Sequence, residues 1–149
     1  MQIALIEFAN NCLHLEKANS TEFDPETPYK IIDYLPDQYK GIKMGGTMRL
    51  GNYECKLALG SKVHELYKTD LIVERHRHRY EFNNEFKSQF EAKGMVFSGI
   101  IPQTNLCEII ELKDHPFFVA CQFHPEFKSR PLDPHPLFVG LLEASIKHE

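Results

Sequence analysis

The sequence predicts an α/β fold in which helices flank an open sheet of mixed strand direction. Several short apolar segments rich in β-branched and aromatic residues have the length of strands, and segments with helical character lie between them. Residues 116–127 begin with a continuous apolar run that is typical of a strand buried on both faces, and a turn follows it. At 149 residues, the chain has the length of one domain with a sizeable core.

Composition and charge are those of an ordinary globular protein. Hydrophobic residues make up 42% of the chain, charged residues 26%, and the net charge is −4. The acidic balance predicts no nucleic-acid partner, and no signal peptide or long apolar span predicts a membrane location. The cysteines are Cys12, Cys55, Cys107 and Cys121. They lack metal-type spacing and, apart from Cys55, lie in apolar runs, which predicts small buried side chains in a reduced, cytoplasmic protein.

The N-terminal segment, residues 3–13, is predicted to be a helix that is apolar on nearly every face and therefore buried. Because N-termini are usually polar and exposed, this start predicts that preceding elements are missing. Residues 19–28 are dense in turn formers and prolines, so they are predicted to form a loop of defined shape. Glu22 in this loop is either a ligand contact or a solvated carboxylate, and composition alone favours the second. A short strand is predicted at residues 31–35.

Glycines lie on both sides of the next segment, residues 45–51, which predicts a strand between tight turns or a close backbone approach. The segment lacks the phosphate-loop pattern, so no nucleotide-binding loop is predicted there. Residues 53–59 are predicted to form another strand. Residues 62–67 are predicted to form a short helix that begins with Ser61 as its N-cap.

The most unusual composition is at residues 74–82, Glu-Arg-His-Arg-His-Arg-Tyr-Glu-Phe. In an extended chain, Arg75, Arg77 and Arg79 share one face, whereas His76, His78 and Tyr80 share the other. Three interpretations compete. The two histidines could bind a metal, but no second histidine pair completes a ligand set. The strand could bind nucleic acid, but the flanking glutamates oppose this. An arginine of the strand could instead bind a substrate carboxylate. Composition alone ranks a solvated or salt-bridged strand first.

The second half of the chain continues the alternation of helices and strands. Residues 84–93 are predicted to form a helix stopped by Gly94. Strands are predicted at residues 95–101 and 106–112, followed by the apolar strand noted above. A loop rich in proline then leads to a closing amphipathic helix at about residues 137–147.

His124 and Glu126 directly follow the apolar run and are separated by Pro125. Proline fixes its own φ and restricts the preceding residue, so the imidazole and the carboxylate leave the strand as a stiff pair. Open α/β sheets place their chemistry at such carboxyl edges. A histidine oriented by a carboxylate supplies two members of a nucleophile–base–orienter triad. A solvated turn is the alternative, and for the motif in isolation it is the more frequent one.

Taken together, these segments resemble the class I glutamine amidotransferase domain of the CTP synthase family, over essentially all 149 residues. Residues 122–126, Gln-Phe-His-Pro-Glu, are similar to the His-Pro-Glu signature of class I amidotransferases. Residues 18–25, 45–51 and 74–81 are more specific to CTP synthases. The resemblance implies a flavodoxin-like open mixed sheet without its N-terminal strands. It also implies that residues 1–149 form one partial amidotransferase domain.

The resemblance implies hydrolysis of L-glutamine to glutamate and ammonia. The ammonia passes to a separate synthetase domain, where UTP is aminated to CTP with ATP and Mg²⁺. GTP is the activator, and the full enzyme is a homotetramer. No cofactor or metal is expected in this chain. By the same resemblance, His124 is the general base for a cysteine and Glu126 orients it, while Gln2, Glu22 and Arg79 hold the substrate. The Arg79 guanidinium suits the α-carboxylate, and Glu22 suits the α-amino group.

The family's nucleophilic cysteine lies in a Gly-X-Cys-Leu-Gly-Met-Gln turn, of which Met1 and Gln2 resemble the last two residues. The cysteine is therefore expected just before residue 1, and the chain alone is expected to be inactive. We consider two alternatives to a fragment of CTP synthase. One is a non-catalytic or split-enzyme subunit that binds a partner carrying the nucleophile and the synthetase domain. The other is an amidotransferase for a different acceptor, which the CTP-synthase-type segments disfavour.

Overall fold

The computed structural model of the protein describes residues 1–34 and 48–147, and over these residues helices and strands alternate. The helices are α1 (Gln2–Asn11), α2 (Lys62–Tyr67), α3 (Lys87–Glu91) and α4 (Pro136–Lys147). The strands are β1 (Asn19–Ser20), β2 (Lys30–Asp33), β3 (Arg49–Leu57), β4 (Leu71–His78), β5 (Glu81–Phe82), β6 (Met95–Ile100), β7 (Cys107–Leu112) and β8 (Val119–Cys121). The predicted α/β class is confirmed.

The strands form two sheets. The smaller has the order β1-β2-β5, in which β1 and β2 are parallel and β2 and β5 are antiparallel. The larger has the order β4-β3-β6-β7-β8, and all of its neighbouring strands are antiparallel. The strand directions are therefore mixed, as predicted, although parallel pairing is confined to β1 and β2 in the described part of the chain.

The antiparallel pair of β3 and β4, which α2 connects, is the longest paired element, with Arg49 opposite His78 and Lys56 opposite Leu71. The prediction of two separate segments at residues 45–51 and 53–59 was wrong, because β3 runs without interruption through Gly51. Glycine tolerates the φ of 93° found there, so pairing continues across it. Residues 45–47 lie outside the described residues, as does Leu35 of the predicted strand 31–35. The predicted alternation in β4 is confirmed for the residues of that strand, since its arginines are exposed and Glu74 and His76 are buried.

Helix α1 is buried on one side only, so the predicted burial on nearly every face was wrong. Leu5, Phe8 and Ala9 are buried against the smaller sheet, whereas the Ile3 side chain is 63% exposed. An apolar sequence does not by itself show which faces have neighbours. Cys12, which follows the helix, is exposed rather than buried as predicted.

The core consists of two apolar clusters that meet at β7. The first packs α1, the smaller sheet, α3 and β6 around Phe82 and Phe90. The second packs β3, α2 and the N-terminal end of α4 around Val63. Strand β7 contributes Ile110 to the first cluster and Ile109 to the second, so it is buried on both faces. Polar side chains on this strand consequently need partners inside the protein.

The apolar run at residues 116–127 is mostly not a strand. Only β8, three residues long and half-buried, pairs with the sheet, and it is an antiparallel edge strand. The prediction of a long buried strand was wrong, because His124 follows a short antiparallel edge strand. Beyond Gln122 the chain leaves β7 and crosses toward β4, where the His124 N–H donates to the Arg75 carbonyl at 2.9 Å. Apolar content gives no information about this change of direction.

The remaining helices agree with the predictions, with one correction. The Ser61 hydroxyl accepts from the His64 N–H at 3.2 Å and caps α2 as predicted, and α4 ends at Lys147. Residues 84–93 do not form one helix, because a 3₁₀ turn (Asn84–Phe86) precedes α3. Gly94 follows with a φ of 90°, consistent with its predicted role as a stop. The longest helix of the described residues has 12 residues, too few to span a bilayer.

Candidate active site

His124 and Glu126 form a hydrogen-bonded pair on a short turn after β8. The His124 Nδ1 lies 2.6 Å from Oε1 of Glu126. A 3₁₀ turn (Pro125–Phe127) brings the two side chains to the same side, and its first residue is the proline whose φ is already restricted. The His124 ring also stacks on Phe127, with ring centroids 4.9 Å apart. The imidazole is therefore held by a carboxylate on one edge and by an aromatic ring on one face.

This geometry leaves Nε2 as the reactive nitrogen of His124. Because Nδ1 donates to the carboxylate, a neutral ring has an unprotonated Nε2 that can accept a proton. The hydrogen bond from His124 also lowers the pKa of Glu126, so the orienting carboxylate is charged at neutral pH. The His124 side chain is 36% exposed, which leaves it accessible to a reacting group. The arrangement can thus act as a general base.

Gln2, Glu22 and Arg79 line a single cavity of about 330 Å³, although they are far apart in the sequence. Gln2 begins α1, Glu22 lies on the turn after β1, and Arg79 follows the end of β4. The structure therefore brings together the three residues predicted to hold the substrate. We call this space the Arg79 cavity. Its lining does not include His124 or Glu126.

Two charged groups of the Arg79 cavity, on Arg79 and Glu22, are not paired with each other or with another side chain of the described residues. Among the described residues, neither Arg79 nor Glu22 forms a salt bridge, and the Arg79 Nε is buried without a hydrogen-bond partner. A buried guanidinium nitrogen without a partner is costly, and it is expected to bind an acceptor when one enters. The cavity is thus suited to a small molecule with an anionic and a cationic group.

The Tyr80 carbonyl connects the Arg79 cavity to the segment that contains His124. It accepts hydrogen bonds from Gln2 Nε2 at 3.0 Å, from Gln122 Nε2 at 2.9 Å and from His78 Nδ1 at 3.2 Å. Gln122 lies two residues before His124. One backbone oxygen therefore anchors the start of α1 and the segment that leads to the candidate base.

Behind the cavity is a buried ionic network, which we call the Arg49 network; it comprises Arg49, Glu81, Glu108, His76 and His78. The Arg49 Nη1 donates to Glu81 at 2.9 Å and to Glu108 at 2.7 Å. Both carboxylates are almost fully buried. Burial, opposed by Arg49, raises the pKa of Glu81, and it raises the pKa of Glu108 to about 8. One guanidinium thus faces two carboxyls, of which Glu108 holds a proton near neutral pH.

The two histidines of the Arg49 network form a chain with defined proton positions. Because the Tyr80 carbonyl can only accept, His78 Nδ1 carries a hydrogen and His78 Nε2 accepts. His76 Nδ1 lies 2.9 Å from that Nε2 and therefore donates to it. Burial lowers the pKa of His76 to about 3 and that of His78 to about 4, so both rings are neutral at physiological pH.

His76, His78 and Glu108 are the described residues that could together hold a metal, since one donor atom from each lies within 4.8 Å of the others. The sequence prediction of no metal considered only a second histidine pair, and Glu108 supplies a different third ligand. However, the two imidazoles hydrogen-bond each other, and Glu108 already accepts from Arg49. The guanidinium charge opposes a cation at the same place. We therefore interpret the cluster as a structural network.

Comparison with known proteins identifies the family. The model of the family described as glutamine amidotransferase class-I matches residues 1–144. The chain belongs to the class I glutamine amidotransferase family. Its predicted fold class is that of the family, and the pair formed by His124 and Glu126 lies within the matched residues.

Curated relatives of this amidotransferase chain are CTP synthases, which confirms the resemblance seen in the sequence. The CTP synthase of Caldanaerobacter subterraneus is 59% identical over 146 residues, that of Bacillus subtilis 59% over 147, and that of Aquifex aeolicus 54% over 149. The alignments cover 98–100% of this chain and 27–28% of the relatives. The chain therefore spans little more than a quarter of their length.

A solved structure agrees with this amidotransferase fold. The glutaminase domain of Trypanosoma brucei CTPS, determined with bound acivicin, superposes with a TM-score of 0.91 at 34% sequence identity. The match covers 99% of this chain and 57% of that one. The fold is thus that of a CTP synthase glutaminase domain. The roles of His124, Glu126, Gln2, Glu22 and Arg79 remain predictions.

The cysteines of this amidotransferase chain are poorly suited to act as its nucleophile. Burial raises the pKa of Cys55 and of Cys107, and it raises the pKa of Cys121 to about 12, so these thiols stay protonated at neutral pH. Cys12 is exposed at the C-terminal end of α1, about 15 Å along the helix from Gln2. A thiolate adjacent to His124 is thus not expected from any of the four.

Sequence reasoning did not assign a role to Gln122 or to the Tyr80 carbonyl. Gln122 lies inside the His-Pro-Glu signature, so its position was visible, but its partners lie 42 and 120 residues away in sequence. A backbone carbonyl has no sequence signal at all. Arg77 also lines the Arg79 cavity, although the prediction named only Arg79 as a substrate contact.

The Arg49 network predicts a pH dependence of stability. Between pH 6.5 and 8 the folded state keeps a proton on Glu108 that the unfolded state has lost, so the free energy of unfolding is expected to fall as the pH rises. Below pH 6.5 the unfolded state protonates His76 and His78, whereas the folded state protonates His76 only at about pH 3 and His78 only at about pH 4. The two histidines therefore lower stability as the pH falls below 6.5, whereas Glu108 raises it down to its unfolded pKa of 4.5. Thermal melts between pH 4 and 8.5 measure both effects, and Glu108→Gln should remove the alkaline decline. A decline that persists in this variant would contradict the assignment.

Proposed function

We propose that this chain is part of the glutaminase domain of a CTP synthase, in which it binds L-glutamine and supplies the general base and its orienting carboxylate. The observation that carries the proposal is the Arg79 cavity, where the Arg79 guanidinium and the Glu22 carboxylate line the same space and neither forms a salt bridge within the described residues. Its volume of about 330 Å³ is at the small end of ligand sites, as befits an amino acid. The similarity to a CTP synthase glutaminase domain supports the proposal.

Each end of glutamine has a partner of suitable chemistry in this cavity. The Arg79 guanidinium offers a fork of donors that matches the two oxygens of the α-carboxylate. Glu22 offers the opposite charge to the α-amino group. The Gln2 Nε2 is already bonded to the Tyr80 carbonyl, so its amide oxygen remains to accept from the substrate. Three residues thus recognise the polar groups of one amino acid.

In the proposed mechanism, Nε2 of His124 takes the proton of a cysteine thiol, and the thiolate attacks the side-chain amide carbon of glutamine. As the tetrahedral species collapses, the C–N bond breaks and the imidazolium gives its proton to the leaving ammonia. Water then hydrolyses the thioester to glutamate, with His124 again acting as the base. Glu126 holds the ring in the required tautomer and stabilises the imidazolium.

The thiol in this mechanism is proposed to come from outside residues 1–149. The pKa and location of the four cysteines support this, because none combines a reactive thiolate with a place beside His124. The chain alone is accordingly proposed to release no ammonia from glutamine above background.

We further propose that the ammonia is used by a synthetase domain of the longer protein to aminate UTP to CTP, as part of pyrimidine nucleotide biosynthesis. ATP, Mg²⁺ and the activator GTP are assigned to that longer protein, which we expect to be a cytoplasmic homotetramer. No residue of this chain is assigned to them. The coverage of 27–28% of the curated CTP synthases supports this division of roles.

A second candidate function is that of a subunit which joins a separate polypeptide carrying the thiol and the synthetase domain. The four cysteines are poorly suited to be the nucleophile, and this supports the second candidate as much as the first. The two candidates share the glutamine site and differ in whether the thiol is on the same polypeptide. Mass spectrometry of the protein purified from its source separates them, since one predicts a chain of CTP synthase length and the other a complex of two chains.

Replacing Arg79 tests the proposed glutamine site. Arg79→Ala is expected to weaken the binding of L-glutamine by about 10- to 100-fold, because a charged hydrogen bond to the α-carboxylate is lost. Arg79→Lys should weaken glutamine binding less than Arg79→Ala does, because lysine keeps the positive charge but lacks the paired N–H donors of the guanidinium. Isothermal titration of the chain measures the affinity without requiring the nucleophile.

Two controls make the Arg79 experiment specific. Arg75→Ala removes an exposed arginine from the same stretch that does not line the cavity, and it should leave the affinity unchanged. The ligand 4-aminobutanamide is glutamine without its α-carboxylate, and it should bind the native chain and Arg79→Ala equally weakly. Unchanged glutamine affinity in Arg79→Ala would show that the proposed site is wrong.

A further inference from the structure

We propose that Gln122 is a positioning residue that holds the Gln2 amide in its substrate-binding orientation. Its own amide donates to the Tyr80 carbonyl at 2.9 Å, accepts from Gln2 Nε2 at 3.4 Å and also interacts with the Glu81 carboxyl. Gln2 Nε2 donates in turn to the same carbonyl at 3.0 Å. Two side-chain amides and one backbone oxygen therefore form a closed triangle. This inference rests on the proposed glutamine site.

The Gln122 side chain is well placed for this role because its backbone is fixed on both sides. Its own N–H donates to the Glu108 carbonyl at 2.8 Å, and the N–H of His124 donates to the Arg75 carbonyl at 2.9 Å. The residue is only 7% exposed, so water does not compete for its amide. A buried amide with fixed partners has one favourable orientation.

The triangle determines which atom Gln2 presents to the Arg79 cavity. A glutamine amide can rotate by 180° and exchange its oxygen and nitrogen. With two acceptors at Nε2, only the orientation that directs the oxygen away from them satisfies both bonds. Loss of Gln122 removes one acceptor and its support of the shared carbonyl, so the Gln2 amide is expected to lose its preferred orientation. Gln122 therefore acts on the substrate through Gln2.

A double-mutant cycle tests this relation. Gln122→Met keeps the length and approximate volume of the side chain without its polar atoms, and Gln2→Met does the same at the contact residue. Each single variant is expected to weaken L-glutamine binding by about tenfold. The double variant is expected to bind L-glutamine with the same affinity as the weaker-binding single variant, because each change removes the same interaction with the substrate. Isothermal titration measures all four affinities.

Gln103→Met is the matched control, since Gln103 is exposed and its amide donates to Glu54 far from the cavity. It should bind glutamine as the native chain does. Circular dichroism melts establish that each variant is folded at the assay temperature. If Gln122→Met is not folded, Gln122→Asn replaces it in the cycle, because the shorter amide does not reach both partners.

The possible results separate this inference from the proposed function. Absence of glutamine binding by the native chain would contradict the proposed function itself. Native binding with an unaffected Gln122→Met variant, or with an additive loss of about a hundredfold in the double variant, would show that Gln122 does not act through Gln2. A double variant that matches the weaker single variant supports the positioning role.

Discussion

Replacing Arg49 with methionine is expected to lower the free energy of unfolding at pH 7 by about 3–5 kcal/mol. Arg49 is 8% exposed and contacts two carboxyls, Glu81 at 2.9 Å and Glu108 at 2.7 Å. The two acids are 2% and 0% exposed, so water does not replace the lost donors. Methionine fills part of the space but leaves both carboxyls without a counter-charge. The expected loss of stability comes from leaving two buried acids without a partner, and not only from removing the attraction between Arg49 and the acids.

Urea titration measures this change, and two further variants identify its cause. Lys56→Met removes an exposed cation from the same strand and should change the free energy of unfolding by less than about 0.5 kcal/mol. Adding Glu81→Gln and Glu108→Gln to the Arg49 variant should recover much of the loss, because no buried charge then lacks a partner. The loss should also be smaller at pH 5, where buried carboxyls are more fully protonated. A loss that is independent of pH and of the glutamine substitutions would indicate packing as the cause.

The Arg49 network illustrates what the sequence did not reveal. Its members come from β3, β4, β5 and β7, and the sequence separations within its ion pairs are 32 and 59 residues. The pattern of β4 correctly predicted that its histidines and arginines lie on opposite faces, because side-chain alternation is a local property of strands. It did not predict that Glu108 would meet those histidines, because the curvature and order of the strands determine that contact.

The candidate site residues also include some that the local sequence predicts and some that it does not. The stiffness of the turn at Pro125 made the pairing of His124 with Glu126 predictable from adjacent residues, and the structure places these side chains 2.6 Å apart. Gln2, Glu22 and Arg79 were assigned by resemblance, since nothing local connects them, and the structure places all three around one cavity. Gln122 was not assigned, because its partners include a backbone oxygen.

The edge strand before His124 shows why an apolar run was misinterpreted. Residues 116–127 contain enough apolar side chains for a buried strand, but only three of them pair with β7. The Gln122 N–H still donates to Glu108 of β7, but two residues later the His124 N–H donates to the Arg75 carbonyl of β4 instead. His124 is therefore held between β7 and β4, after a short antiparallel edge strand and not after the long buried strand that the sequence predicted.

Replacing His124 with alanine is expected to lower ammonia release from glutamine by about 10³-fold or more in a CTP-synthase-length protein that contains this chain. The imidazole has two proposed tasks, taking the thiol proton and protonating the leaving ammonia, and no other described histidine forms a pair with Glu126. Because His124 does not line the Arg79 cavity, glutamine affinity should change by less than about threefold. The defect is thus expected in kcat and not in binding.

Coupled measurement of ammonia release gives kcat and KM, and the controls test each part of the argument. His115→Ala removes an exposed histidine outside the site and should leave turnover unchanged. Glu126→Gln keeps a hydrogen-bonding partner but removes the charge that stabilises the imidazolium, so it should lower kcat by less than His124→Ala does. The 149-residue chain alone should give only background ammonia, because none of its four cysteines is expected to supply a thiolate beside His124. Substantial turnover by the chain alone would place the nucleophile among its own cysteines. Full turnover by His124→Ala would remove His124 from the mechanism, whatever the geometry of its pair with Glu126.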